Sequence, residues 1–346
     1  MKRLKWILVA VLSLLVVRGA FALCRYYIDN KASNFNDSIE LYVYPQTKLG
    51  EVMSQLETVA KRPRSIVRTF AEKRVEEYMQ PGHYLVEKGS SSVYVARMLN
   101  NCWQTPVKLT LSGPLKRKQD IAKKISAQMM VDSASVRNAL SDNEFLSKFG
   151  FDSVSVFGLF ILDTYEMYWT ASVEEIFACQ KKAYDEFWTE ERVQKARKQG
   201  LSKKQVSIVA SIVCGETNYV PEMPDIASVY LNRLRKGMKL QADPTIAFCF
   251  DYKYNRILKK HLQVDSPYNT YKNAGLPPGP IYVPSKDALE AVLNPTKTPY
   301  IFFCADPAFN GKHKFAVNYS EHMANARAYQ AALNRLAANK KKAAAN

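Results

Sequence analysis

The strongest hydrophobic pattern in the chain predicts a buried helix that ends at an acidic residue. Ser202 and Gln205 have the spacing of a capping box, in which each side chain bonds the other residue's backbone N–H. The apolar positions that follow recur at helical spacing: Val206, Val209, Ala210 and Val213. Because the pattern stops at Cys214-Gly215-Glu216-Thr217, we expect Glu216 at the carboxyl end of this helix.

A second helix is predicted after two prolines. Asp225 is expected to cap it and Gly237 to end it, since glycine adopts the left-handed conformation that closes many helices. Asp243-Pro244-Thr245 then has the composition of a turn. This order brings several polar residues into one compact unit: Glu216, Asn232, Arg233, Gln241 and Asp243.

Residues 37–115 predict a small α/β region of short strands and helices. Alternating apolar residues from Ile39 to Val43 predict a strand, and the helical spacing from Leu49 to Val59 predicts a helix. A similar strand, helix and strand are expected at 84–86, 93–99 and 107–111. Exposed tyrosines here could stack on sugars, although tyrosine is also common in ordinary strands: Tyr42, Tyr44 and Tyr84.

The rest of the chain predicts a helical connecting region at 116–200 and an α+β domain at 201–338. Helices are expected from Ile121, from a cap at Ser135, and from a Ser172–Glu175 capping box to Gln199. Strands are expected at 300–304 and 313–315, with Ser320 capping the last helix. Residues 339–346 are expected to form a basic tail. The predicted fold class is α+β.

The N-terminal segment 1–25 is basic and then apolar, as in a signal sequence or a membrane anchor. Basic residues precede the apolar run from Trp6 to Val17, which Arg18 interrupts. Ala20-Phe21-Ala22 fits a cleavage site, whereas an uncleaved anchor needs only Arg18 to reach the interface. A lipid attached at Cys24 is disfavoured by the bulky Leu23. We favour the anchor, with the N-terminus cytoplasmic.

Charge and cysteine content narrow the classes of partner. A net charge of +17 implies a polyanion. No zinc-finger spacing, phosphate loop or aromatic RNA-binding motif is present, so an exported chain is expected to bind anionic lipid or cell-wall carboxylates rather than nucleic acid. The six cysteines lack CxxC spacing and do not cluster with histidines. The sequence therefore predicts no metal site, and it leaves any disulfide pairing open.

Glu216 is the candidate acid of the chain. A carboxyl group beside Ile212, Val213 and Cys214 loses water on folding, which raises its pKa. The negative end of the helix dipole acts in the same direction. A carboxyl group that stays protonated near neutral pH can donate a proton to a leaving oxygen. The alternative is a solvated glutamate at a helix end.

Several sequence motifs together resemble those of the endolytic murein transglycosylase family, the YceG-like, membrane-anchored peptidoglycan lyases. They occur in the family's order over roughly the last 150 residues: SIVCGET, IASVYLNRLRKGMKLQADPT, YNTYKNAGLPPGPI, TPYIFFCAD and GKHKF. The resemblance implies that Glu216 is the catalytic acid and that the 37–115 region is LysM-like, unless that region is ordinary α/β packing.

The resemblance also implies a glycan cleft around the core helices. Its expected substrate-binding residues are Thr217, Asn232, Arg233, Gln241, Asp243, Tyr268, Asn269, Thr270, Tyr271 and His313. Asp243 also suits a turn, and His313 also suits a structural partnership. This chain departs from the family pattern at Cys214, where a second Glu is common, and at Phe157 and Leu162 beside the Gly158–Tyr165 segment, which is expected to be a strand.

The implied activity is endolytic cleavage between MurNAc and GlcNAc that leaves 1,6-anhydro-MurNAc ends and terminates or trims nascent strands, without a cofactor. The implied location is the cytoplasmic membrane, single-pass, with the catalytic domain on the outer or periplasmic side. Peptidoglycan synthases or penicillin-binding proteins are the implied protein partners. Two other classes remain open at this point, a glycan hydrolase and a catalytically silent peptidoglycan-binding scaffold.

Overall fold

The computed structural model of this protein describes residues 2–254 and 256–345, which form two compact units with mixed α and β structure. The first unit comprises the residues up to Leu109, with Gln128–Met130 and Glu166–Ala171. The second comprises Thr110–Ala127, Val131–Tyr165 and the chain from Ser172 onward.

Helices dominate the described chain, with short strands between them. The strands are β1 (Ile39–Val43), β2 (Gly82–Val86), β3 (Val107–Thr110), β4 (Thr164–Met167), β5 (Phe302–Ala305) and β6 (His313–Ala316). The helices up to residue 200 are α1 (Lys2–Asn30), α2 (Leu49–Glu57), α3 (Pro63–Glu72), α4 (Val75–Tyr78), α5 (Ser92–Asn100), α6 (Lys118–Ser126), α7 (Ser133–Ala139), α8 (Asn143–Ser147), α9 (Val173–Phe187) and α10 (Glu190–Lys198). Those that follow are α11 (Lys203–Glu216), α12 (Met223–Arg235), α13 (Asp243–Cys249), α14 (Lys286–Leu293) and α15 (Tyr319–Ala345).

The first unit has a core between one two-stranded antiparallel sheet and the helices around it. β1 and β2 pair antiparallel, with Leu41 opposite Tyr84. Tyr84 is fully buried, so the prediction that it could stack on a sugar is wrong. Tyr42 and Tyr44 each keep 43% of their surface exposed and pack edge-on against Trp169.

α1 is longer than the predicted 1–25 segment and is long and apolar enough to cross a membrane. The candidate span is Arg3–Asn30, and its most apolar window is not buried in the protein. Near its end, Asp29 is buried and accepts hydrogen bonds from Ser65 Oγ and Arg68 Nη2, each at 2.5 Å. The carboxyl end of α1 is therefore fixed to the rest of its unit.

The second unit is built around α11. Residues Val206 to Val213 of this helix are all buried, and α12, α13 and α14 pack against it. β5 and β6 form an antiparallel pair in which Phe303 lies opposite Phe315, and α15 packs on both strands. The predicted helix at 202–216 and the strands near 300–304 and 313–315 are thus confirmed, although β5 is only half-buried.

Three predicted helix starts are wrong, two of them because a neighbouring polar residue caps the helix instead. Asp132, not Ser135, caps α7 and accepts from Ser135 N at 2.8 Å. Asp225 lies in the first turn of α12, which begins at Met223. Asn318, not Ser320, accepts from the backbone of the first turn of α15, at Glu321 N.

Other predicted elements differ in extent. The capping box at Ser172 is confirmed, but the helix after it breaks at Trp188, and Thr189 caps α10 separately. Asp243 begins the short helix α13 rather than a turn. The strand expected at 158–165 is wrong, because β4 starts only at Thr164. The backbone of α15 continues to Ala345 into the predicted basic tail, whose side chains and Asn346 lie outside the described residues.

The cysteines are free thiols in this structure. Cys24 and Cys102 are exposed, whereas the others are half-buried, namely Cys179, Cys214, Cys249 and Cys304. Burial raises the pKa of each of these half-buried thiols. They therefore stay protonated and fill space as small apolar side chains.

Candidate active site

The predicted capping box places Glu216 by fixing the start of α11. Ser202 Oγ accepts from Gln205 N at 3.2 Å, and Gln205 Oε1 accepts from Ser202 N at 2.8 Å. Buried residues then hold the helix in the core up to Val213. The helix ends at Glu216, and the extended backbone of Thr217 carries the chain away from it.

Gly215 lets α13 approach the end of α11. A Cβ atom at this position would lie 2.5 Å from Pro244 Cβ and 2.8 Å from Pro244 Cγ, which is too close for any side chain. Pro244 is the second residue of α13, directly after Asp243. The contact therefore brings Asp243 and Glu216 into one cavity.

This cavity has a volume of about 370 Å³ and combines acidic, aromatic and cationic side chains. It is lined by Glu216, Tyr230, Arg233, Leu240, Gln241, Asp243, Tyr271, Phe302, Phe303, Tyr319 and His322. Five of the predicted site residues are among them: Glu216, Arg233, Gln241, Asp243 and Tyr271.

Each carboxylate of the cavity accepts a hydrogen bond from a tyrosine hydroxyl. Tyr230 donates to Glu216 Oε1 at 2.5 Å, and Tyr271 donates to Asp243 Oδ1 at 2.6 Å. Burial raises the pKa of both tyrosines, so their hydroxyl groups remain donors. The two acids are therefore held in fixed orientations.

Loss of water raises the pKa of Glu216 to about 7, despite the hydrogen bond from Tyr230, which lowers it. The negative charge of Asp243 adds to the rise, and the guanidinium of Arg233 opposes it. A carboxyl group with this pKa can both donate and accept a proton near neutral pH. The predicted environment of Glu216 is thus present, and a fully solvated glutamate is wrong.

The side chain of Arg233 lines the cavity and is held in place by backbone carbonyl groups. Its Nε donates to Ile301 O at 2.6 Å, and its Nη1 donates to Leu240 O at 2.7 Å. Its guanidinium also lies 5.2 Å from the ring centre of Phe302. Through these contacts, Arg233 connects α12 to the backbone at Ile301 and Leu240. Because only 8% of Arg233 is exposed, its positive charge is held within the protein next to the cavity.

The loop before α13 is held in an unusual conformation. Gln241 has φ +50°, the left-handed region that side chains other than glycine seldom adopt. Thr270 holds this loop, since its carbonyl accepts from Gln241 N at 3.1 Å and its Oγ1 accepts from Ala242 N at 3.0 Å. Such strain persists only where the surroundings fix it, and it is common at functional sites.

Several predicted binding residues make internal contacts and do not line this cavity. Asn269 is fully buried and its Nδ2 donates to Leu262 O and Val264 O, while Thr270 is buried beneath the Gln241 loop. The ring of Tyr268 packs against Phe248, with centroids 4.6 Å apart. These three residues shape the segment that presents Tyr271.

The remaining predicted residues also have structural partners. Asn232 Nδ2 donates to Thr298 O at 2.8 Å and Tyr300 O at 3.0 Å. His313 is bonded through both its backbone N and its Nδ1 to Glu222, at 2.8 and 2.7 Å. Thr217 is buried and lines a separate cavity with Cys214 and Asn218.

Six of the eleven residues that line the cavity were not predicted as site residues from the sequence. Tyr230 lies within the predicted second helix and was not expected at the site, yet a buried tyrosine needs a partner for its hydroxyl, which is a usable signal. Phe302 and Phe303 lie in the strand predicted at 300–304 and were not expected at the site. Tyr319 and His322 gave no sequence signal. Within residues 2–254 and 256–345, no three metal-ligating side chains cluster.

The chain is similar to known proteins over most of its length. The profile of the YceG-like family matches residues 41–328. The chain belongs to the YceG-like family. Over 151 residues it is 38% identical to the endolytic murein transglycosylase of Bacillus subtilis, covering 44% of this chain and 41% of that protein.

Two further proteins are also similar to this chain. The endolytic murein transglycosylase of Streptococcus pneumoniae serotype 2 is 31% identical over 158 residues, which are 44% of this chain and 28% of that protein. A 2.6 Å crystal structure of a YceG-like protein from Listeria monocytogenes aligns with a TM-score of 0.55 and 26% identity. It covers 83% of this chain and 98% of that one. The matched segment spans less than half the length of these two transglycosylases.

Cys214 lies two residues before Glu216 in α11. Its Sγ accepts from Ser285 N at 3.3 Å and lies 3.5 Å from Ser285 Oγ. It therefore ties α11 to the start of α14, on the side of the separate Thr217 cavity. Glu216 is left as the acid of α11 in the main cavity.

Proposed function

We propose that this YceG-like protein is a lytic transglycosylase that cuts the glycan strands of peptidoglycan internally. The observation that carries the proposal is Glu216, whose pKa is raised to about 7 in a cavity with aromatic and polar walls. The similarity to relatives named as endolytic murein transglycosylases supports it, and the matched YceG-like profile at residues 41–328 includes every residue that lines this cavity.

In the first step, Glu216 donates its proton to the oxygen that links MurNAc to the next GlcNAc. The bond between C1 of MurNAc and that oxygen breaks, and positive charge develops on the sugar ring. The carboxylates of Glu216 and Asp243 then stabilise this charge electrostatically. Tyr230 keeps the Glu216 carboxylate in place through its hydrogen bond.

In the second step, the ionised Glu216 accepts the proton of the 6-hydroxyl of the same MurNAc. The O6 atom forms a bond to C1, which gives a 1,6-anhydro ring and restores the protonated acid. No water and no cofactor enters the balance. An intramolecular nucleophile replaces a bimolecular encounter, provided that the cavity holds the sugar in the reactive geometry.

Product analysis tests this proposal. The full chain in detergent is incubated with purified peptidoglycan, and the released fragments are measured by mass spectrometry, with Glu216→Gln as the control. Anhydro ends from the wild type alone are expected. Reducing ends would indicate a hydrolase, which normally needs a second carboxylate. No release would indicate a binding scaffold.

The same proposal places the protein in the cytoplasmic membrane as a single-pass protein. α1 would span the bilayer, with Arg3 and Lys5 on the cytoplasmic side and the cavity on the outer side. Extraction with detergent but not with carbonate is the expected behaviour. A soluble mature chain that starts near Leu23 would contradict it.

We also propose the predicted domain division, with a LysM-like region at 37–115, a connecting region at 116–200 and a catalytic domain at 201–338. The order β1, α2, α3, α4, β2, with β1 paired to β2 across three helices, supports a small module of its own in the first of these. Peptidoglycan synthases or penicillin-binding proteins remain the proposed protein partners, to be tested by crosslinking in cells.

A further inference from the structure

His322 of α15 is a polar group of the Glu216 cavity that the mechanism above does not use. It lines the cavity together with Phe302 of β5. Its ring stacks on Phe302 with centroids 5.1 Å apart and planes 19° apart. Packing on an aromatic ring therefore sets the orientation of this imidazole.

His322 differs from the other histidines in its hydrogen bonds. Nδ1 of His83 is bonded to Thr105 O, Nδ1 of His261 to Leu258 N, and Nδ1 of His313 to Glu222. Nδ1 of His322 is buried and has no hydrogen-bond partner among the residues that the structure describes. Each of the other three rings is thus held by a protein contact that His322 lacks.

The surroundings of His322 keep its ring neutral. Burial lowers the pKa of His322, and the nearby guanidinium of Arg233 lowers it further. Arg233 itself is held by Ile301 O and Leu240 O, so its charge stays in place. A neutral imidazole has one N–H donor and one acceptor nitrogen. Placing the proton on Nε2 avoids burying an N–H without a partner at Nδ1.

We propose that His322 is a substrate-contacting residue, whose Nε2–H donates a hydrogen bond to an oxygen of the amino sugar bound beside Glu216. The acceptor is a hydroxyl or an acetamido carbonyl oxygen, both of which are neutral and suit a neutral donor. The inference rests on the proposed function, because it takes the cavity to be the glycan site. It assigns the β5 and α15 wall to sugar orientation and the α11 and α13 wall to proton transfer.

Binding without cleavage tests this contact. The full-length Glu216→Gln chain in detergent is titrated calorimetrically with soluble, uncrosslinked glycan strands of alternating GlcNAc and MurNAc. In this background, His322→Phe keeps a flat ring on Phe302 but removes the donor, and His322→Gln keeps a neutral N–H donor. We expect His322→Phe to weaken binding about tenfold or more, as for one lost hydrogen bond in a dry site, and His322→Gln to stay within about threefold.

His261→Phe is the matched control, because it removes a histidine of the same unit that lies outside the cavity. Its glycan affinity should equal that of the parent. Equal affinity of His322→Phe and the parent would overturn the proposal, and so would an equal loss in the Phe and Gln variants. If His322→Phe shows no thermal unfolding transition, His322→Leu takes its place and is judged by the same criteria.

The wild-type chain is assayed for anhydro products in parallel, which separates the two proposals. Glycan binding that depends on His322, without any product from the wild type, rejects the lyase activity and keeps the sugar contact. Failure of the Glu216→Gln parent to bind glycan overturns the contact, whatever the wild type releases. In the active background, His322→Phe should raise KM more than it lowers kcat.

Discussion

The hydroxyl group of Tyr230 donates a hydrogen bond to Glu216 Oε1 at 2.5 Å, and the two residues come from adjacent helices of one core. The bond stabilises the ionised form of an acid that burial otherwise keeps protonated. The pKa of Glu216 is thus a balance between loss of water, one hydrogen bond, one neighbouring carboxylate and one guanidinium. Each of the last three can be changed separately.

Tyr230→Phe should raise the pKa of Glu216 above about 7, because the removed hydrogen bond lowers it. The fall in kcat at high pH should therefore move to higher pH. The maximal kcat should also drop, since the ionised intermediate loses its support. Rates measured from pH 5 to 9 check this. Tyr184→Phe, outside the cavity, should leave the profile unchanged, and an unmoved profile in Tyr230→Phe would contradict the assignment.

Asp243→Asn should move the fall in kcat at high pH to lower pH, opposite to the effect of Tyr230→Phe. The negative charge of Asp243 raises the pKa of Glu216, so its removal lowers that pKa. The amide oxygen can still accept from the hydroxyl of Tyr271, which preserves the local geometry. Asp251→Asn removes an equal charge from an exposed ion pair with Arg117 and serves as the control. A shift to higher pH, or none, would show that Asp243 does not influence the acid.

Glu216→Gln should abolish turnover while it stabilises the fold at high pH. Folded Glu216 binds its proton up to about pH 7, whereas the unfolded chain releases it near 4.5. Wild-type stability therefore falls as pH rises between these values, by about 3 kcal/mol in total. The variant has no proton to lose, so it should exceed the wild type above pH 7 and equal it below 4.5. Denaturant unfolding at the two pH extremes measures the difference, and an identical pH dependence would exclude the raised pKa.

Gly215→Ala should destabilise the second unit and lower activity. Its new Cβ would meet Pro244 at 2.5 Å, so α13 must move away from α11 and take Asp243 with it. Overpacking of this kind costs about 1–3 kcal/mol. Gly50→Ala is the matched control, because no atom lies within 4 Å of its new Cβ. Differential scanning calorimetry should show a lower Tm for Gly215→Ala alone.

His313→Ala should lower the Tm and leave KM unchanged. Glu222 is 6% exposed and accepts from both His313 N and His313 Nδ1, so the substitution leaves a buried carboxylate with fewer donors. The expected loss is about 1–3 kcal/mol. The result should be the reverse of that for His322→Phe, which should affect KM more than Tm. A raised KM with an unchanged Tm would restore His313 as a substrate contact.

The sequence alone determined the position of Glu216. The capping box at Ser202 and the apolar spacing up to Val213 are local signals, and each depends on residues within one or two helical turns. The acid at the end of α11 could therefore be assigned without knowledge of its neighbours. The same local signals placed Gly237, whose positive φ follows the end of α12.

Local signals failed where two polar residues competed for one cap. Asp132 and Ser135 both suit a helix start, and so do Asn318 and Ser320. Asp, Asn and Ser have similar preferences for the N-cap position of a helix, so packing against the rest of the protein decides which of them is used. The structure uses the earlier residue in both pairs.

Only the tertiary structure decided what surrounds Glu216. Tyr271 and Phe302 join the cavity from segments that are distant in sequence, and His322 joins it from α15. Their side chains have no local pattern that distinguishes a cavity wall from a core or a surface. Asn269 and Thr270 were predicted to bind substrate, but their side chains form hydrogen bonds with backbone groups of nearby loops instead. The sequence alone does not distinguish polar residues that line the cavity from polar residues that have structural partners. Long-range packing decides this, because burial and hydrogen-bond partners are fixed only when separate segments meet.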